Sequence, residues 1–111
     1  MLIDEETYYP GKTTLRPLKA SEPMRIGAAL RPQCFGEPFD KHGGSCALGA
    51  WWEGMGHKPI YERWWHIIGD AFQRMTNINS YQIVARNDGY IESARCWTRE
   101  SIADWLEAQG Q

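Results

Sequence analysis

The sequence has no excess of basic charge, no long hydrophobic run and no even set of cysteines, and each lack removes a class of protein. Twelve Lys and Arg stand against 14 Asp and Glu, a formal net charge of −2. No basic field exists to hold a phosphate backbone, so direct nucleic-acid binding is set aside. Uninterrupted apolar runs are only a few residues long, far short of the roughly 20 that cross a bilayer, so no membrane partner is expected. The opening stretch MLIDEETYYPGK is acidic where an export signal is basic. Three cysteines leave one without a mate, and in a chain with no visible export signal they read as reduced thiols in a cytoplasmic protein. Repeats, low-complexity tracts and like-charge runs are also missing.

What is present is a chain of 111 residues with six tryptophans. That length suits one domain and one core, not a cofactor domain joined to a substrate domain, and no cofactor is expected. The tryptophans are unusual in number, and each can anchor a small core or a contact surface.

Residues 1–20, with Pro10-Gly11 and Pro17, read as an irregular N-terminal arm with a short extended piece at Thr13–Leu15. A single helical domain is expected over residues 21–111. The first helix is expected over 22–31, capped by Ser21, with Ile26, Ala29 and Leu30 as its inner face and Pro32 as its stop. A loop follows over 32–44, pinned by Phe35 and Phe39. Ser45 has the position of an N-cap for a helix from Cys46 to Gly54, whose stripe is Leu48, Trp51, Trp52 and Met55. Ala47, Gly49 and Ala50 leave another side bare enough for a close neighbour.

The longest helix is expected over 59–75, starting at Pro59. Ile60, Trp64, Ile67, Ile68, Ala71 and Met75 repeat at helical spacing, and Tyr61, Trp65 and Phe72 widen the stripe. Residues 80–90 fit either a strand entering a hairpin at Asn87-Asp88-Gly89 or a short helix capped by Ser80. In the last helix Thr98 caps, Trp97 and Ile102 form a hydrophobic staple, and Ala103, Trp105 and Leu106 carry the stripe towards Gly110. The fold class is mainly α: four to five short helices around a central helix (59–75), with room for one short β-hairpin.

The chemistry candidates gather at GGSCALGAWWEGMG, residues 43–56. Cys34, His42, Cys46 and His57 offer the two sulfurs and two nitrogens that zinc prefers. Their spacings contain no short Cys or His pair, so no metal is expected and these four stand only as fallback ligands. GGSCA resembles a nucleophile elbow without the strand and large sheet that an elbow needs. A helix start explains the same residues. Asp40 with Glu37, and Asp88 with Glu92, are short acidic pairs that read as turn residues.

Trp51-Trp52 and Trp64-Trp65 are adjacent pairs, and neighbours on a helix diverge by about 100°. One ring of each pair should therefore lie near the surface. Trp52 and Trp65 are the expected contact anchors, with the acidic Glu53 and Glu62 at the rim facing a partner with a basic surface.

Cys46-Ala47-Leu48-Gly49-Ala50, followed by Asn87-Asp88 and then Thr98 and Ile102, resembles the pattern of a family of small bacterial and phage proteins of unknown function. That family carries a Cys-x-Leu-Gly-Ala helix, an Asn-Asp turn and a Thr-capped last helix. Arg86 stands where its members have an aromatic residue, and the interval from Asp88 to Thr98 is longer. The resemblance implies an all-helical fold, which favours a helix over 80–88. It also implies a tight helix contact at Cys46, Gly49 and Ala50, and an Asn-Asp pair that organises the turn before the last helix. It carries no activity.

The functional expectation is a small protein-binding module, phage- or prophage-encoded, that occupies a partner's surface without catalysis. Its sharpest form is an inhibitor of a host defence complex such as CRISPR machinery. The alternative is a small-molecule binder or minor enzyme that uses the 34–46 loop, with Cys34, His42 and Cys46 as its polar groups.

Overall fold

The computed structural model describes residues 19–61, 64–90 and 95–111. The expected arm, with its extended piece at Thr13–Leu15, falls on residues outside that set except for its last two. Among the described residues five helices follow in order: α1 (Ser21–Ala28), α2 (Ala47–Gly54), α3 (Trp65–Thr76), α4 (Tyr81–Asp88) and α5 (Arg99–Ala108). The same residues form no sheet, only isolated bridges that join Ser45 to Gln33 and to Phe39. The mainly helical reading holds, and residues 81–88 are helix rather than hairpin. Gly89, at φ 80°, ends α4 with the left-handed turn that the Asn-Asp-Gly run supplies.

The tightest packing joins α1 to α2. A Cβ on Gly27 would fall inside the van der Waals shell of the Ala50 carbonyl, and one on Gly54 would collide with the Pro23 carbonyl. The two backbones therefore touch at two points, which only residues without side chains permit. This crossing corrects the expected inner face of α1. Small residues must face α2, so Met24, Gly27 and Ala28 turn inward. Ile26 and Leu30 remain 57% and 59% exposed. The bare side expected on α2 is real: Ala50 meets Gly27, while Gly49 lies against the Pro38 carbonyl of the loop.

Helix α2 packs against each of the other four helices, and α3 packs against α2. The centre is thus α2, the helix whose small residues let others approach, rather than the longer α3. Around it lie Met24, Leu48, Trp51, Ile68, Phe72, Ile83, Ile102 and Leu106, all within the buried core. Trp51 meets Phe72 edge to face, with ring centroids 5.2 Å apart.

Helix α3 begins at Trp65, not at Pro59. Gly56 (φ 99°) closes α2 while His57 N–H returns to the Trp52 carbonyl at 3.3 Å. The Trp52 indole N–H then holds the Lys58 carbonyl at 2.8 Å, which keeps the chain out of a helix there. The buried residues of α3 are Ile68, Phe72 and Thr76, so the inner face is narrower than the expected stripe. Two expected caps also move. Ser21 lies inside α1 rather than before it, and Asn79, not Ser80, accepts the Tyr81 N–H at 2.8 Å. Thr98 caps α5 as expected, accepting the Ser101 N–H at 3.0 Å, and Trp97 packs on the core that buries Ile102.

Adding one methyl at the α1–α2 crossing should separate two backbones. Gly27→Ala is expected to cost about 2–3 kcal/mol in urea unfolding, at the upper end of overpacking penalties. Ile26→Ser should change stability by less than about 0.5 kcal/mol, as a surface substitution does. Equal losses in the two variants would contradict this assignment of faces.

Candidate functional site

Residues 32–46 fold back on themselves between α1 and α2. Cys34 N–H bonds the Ser45 carbonyl, Ser45 N–H the Pro32 carbonyl and Cys46 N–H the Pro38 carbonyl, each at 2.9 Å. Phe39 pins this segment to the core as expected, whereas Phe35 projects outward and is exposed. The first N–H groups of α2 need acceptors, and neither Ser45 nor Cys46 supplies a side-chain cap. Ser45 is occupied elsewhere, its hydroxyl accepting from Arg99 at 2.9 Å.

The acceptor comes instead from Asn87, fully buried at the end of α4. Its Oδ1 accepts from Ala47 N–H at 3.0 Å and from the Gln33 amide at 2.9 Å. Its Nδ2 donates to the Cys34 carbonyl at 3.0 Å and to the Asp88 carboxylate at 2.8 Å. A carboxamide has two donors and two acceptor lone pairs, and all four are used. The Asn-Asp pair thus organises the start of α2 and the loop, a longer reach than the turn before the last helix.

Arg99, which the sequence reading did not single out, performs a matching task at the end of α1. Its guanidinium donates to the Ala28 carbonyl at 3.1 Å, one of those that helix α1 leaves unpaired, and to the Arg31 carbonyl just beyond the helix at 2.7 Å. Burial lowers its pKa from the ordinary arginine value, yet a cation at a helix C-terminus is favourably placed.

Beside this frame lies a cleft of about 280 Å³, bounded by residues 36–38, α3 and α4. Pro38, Leu48, Trp65 and Val84 give it apolar walls, and Glu37, Asp88, His66 and Ser80 add polar groups. Gly69 leaves the room, since a Cβ there would stand 3.0 Å from the Ser80 hydroxyl. The carboxylates are regrouped relative to the sequence pairs. Glu37 shares this cleft with Asp88, while Asp40 accepts the His42 and Gly44 N–H groups in a local turn. Glu92 lies outside the described residues.

Cys46 also lines the cleft, but burial pushes its thiol up to about 11. Cys34 is pushed up to about 12, again chiefly by burial. Burial thus favours the protonated form of both, and the thiolate needed for nucleophilic attack is disfavoured at neutral pH. The four fallback ligands do not share one environment. Cys34 and Cys46 are buried, His42 is exposed, and His57 stacks on Trp52 with centroids 4.1 Å apart. Among the described residues, no three His, Cys, Asp or Glu side chains converge in a way that could hold a metal ion.

The expected contact residues are distributed differently from their spacing. Trp52 is half-buried beneath His57. Glu53 forms a two-pronged ion pair with Arg31 at 2.7 and 2.9 Å, so its charge is matched within the fold. Glu62 lies outside the described residues. Trp65 is half-buried on the cleft wall, and its neighbour Trp64 is the exposed ring, at 54%. Ile67 is 37% exposed on the same face, and Tyr61 is 49% exposed. Gly69, set in a helix of bulky residues, is the signal for this phase, because it marks the side of α3 that faces Ser80. No family model, curated protein or solved structure matches the chain.

Two outcomes test this geometry. Asn87→Ala orphans Ala47 N–H and the Cys34 carbonyl, and should cost about 3 kcal/mol in urea unfolding. Thiol titration of the native protein at pH 8 should register the exposed Cys96 rapidly, and Cys34 and Cys46 only after denaturation. The raised thiol pKa values mean that the folded state holds those protons more tightly than the unfolded chain. Their contribution to stability is therefore complete below pH 9 and is lost as the pH climbs towards 11–12. The Cys34→Ala/Cys46→Ala double variant should show a shallower fall in Tm over that range.

Proposed function

We propose that this protein is a binding module that covers part of another protein's surface, and that contact centres on Trp64 and Ile67. One observation carries the reading. A tryptophan and an isoleucine three residues apart lie exposed on the outer face of α3, while Trp65, Ile68 and Phe72 face inward. Exposed aromatic anchors of this kind concentrate interface energy. Covering the exposed half of an indole contributes about 3 kcal/mol at 25 cal/mol per Å², or about a hundredfold in affinity.

With a net charge of −2, long-range steering has little to act on, so short-range apolar contact must supply the affinity. The exposed Asp70, one turn beyond Ile67, gives the rim an acidic group that suits a partner with basic residues around an apolar groove. Binding without catalysis is supported by the protonated thiols and by the commitment of Asn87, Ser45 and Arg99 to structure. Host defence complexes, CRISPR machinery among them, are the first partners to assay.

The test is site-specific photocrosslinking in a bacterial host, with benzoylphenylalanine at position 64 and, as control, at the exposed position 100 on α5. A discrete adduct is expected from position 64 alone. Ile67→Asp should abolish it while Tm stays within about 2 °C of the parent. No adduct from position 64, or the same adducts from both positions, overturns the reading.

A further inference from the structure

The cleft between residues 36–38, α3 and α4 carries charge of one sign in an apolar setting. Glu37 and Asp88 are half-buried on its walls, and among the described residues no Lys or Arg lines it. Asp88 is held in place, since its Oδ1 accepts from Gly36 N–H at 3.1 Å and from Asn87 at 2.8 Å. Its position is thus fixed before any ligand arrives. No cation among the described residues pairs with Glu37. Trp65 adds an aromatic wall, and its buried indole N–H has no acceptor among the described residues.

We propose that this cleft binds a small organic amine, its ammonium group held by Glu37 and Asp88 and its apolar body set against Leu48, Val84 and Trp65. Two properties select that class. Carboxylates in a partly desolvated cleft favour a cation, through charge-assisted hydrogen bonds and the face of an aromatic ring. Among the described residues the acidic and imidazole groups do not converge as a metal ion requires, which favours an organic cation over a metal ion. The volume of about 280 Å³ lies just below the usual range for drug-sized ligands, which limits the amine to about one ring. This site is separate from the Trp64 surface, and neither reading depends on the other.

The experiment follows the indole N–H resonance of Trp65 by NMR while the full chain is titrated with 2-phenylethylamine, butylamine, 2-phenylethanol and phenylacetate. Saturable shifts are expected with the amines, and binding at least about tenfold weaker with the alcohol and the acid. Glu37→Gln should weaken the amine about tenfold without lowering Tm. Val84→Phe, which fills the cleft, should abolish the shift. The proposal is overturned if neither amine saturates, if alcohol and amine bind alike, or if Glu37→Gln binds the amine as the parent does. A Val84→Phe variant that fails to fold leaves the Glu37→Gln comparison to decide.

Discussion

The carboxamide of Asn87 ties three parts of the chain together through one buried side chain. The start of α2 lacks a cap of its own, residues 33–36 need partners for inward-facing polar groups, and α4 must end where both can be reached. A buried polar group is costly unless every bond is made, and at Asn87 every bond is made. The cleft and the α2 N-terminus both depend on this arrangement, because Asn87 also orients Asp88, whose carboxylate fixes Gly36.

Around that knot the fold is set by close approach rather than by large apolar residues. Gly27 and Gly54 bring α1 and α2 into backbone contact, and Gly49 admits the loop at Pro38. Once α2 is surrounded so closely, the bulky residues are displaced to its periphery, where Phe72 and Ile68 of α3 meet Trp51. Arg99 completes the arrangement from α5 by binding the end of α1 and the hydroxyl of Ser45. Arg86 is placed similarly by contact, with its guanidinium 3.9 Å above the Trp105 ring.

These relations explain which residues are available for function. The rings of Trp52 and Trp65 and the charge of Glu53 were reasonable surface features on helical spacing alone. Each is engaged by the fold, through the His57 stack, the cleft wall and Arg31 respectively. Trp64 is the outward ring because α3 turns Ile68 and Phe72 towards the core.

Local signals in the sequence determined the helical class, the Thr98 cap, the turn at Gly89 and the close packing at Ala50, since each rests on a residue and its near neighbours. Tertiary structure alone decided the inner faces of α1 and α3, the cap of α2 and the pairing of Glu37 with Asp88. The reason is physical. A helix with apolar residues on several sides can be buried in more than one phase, and the choice between phases lies with its partner's shape. A cap supplied by Asn87, 40 residues from Ala47, leaves no mark in the residues around the helix it serves.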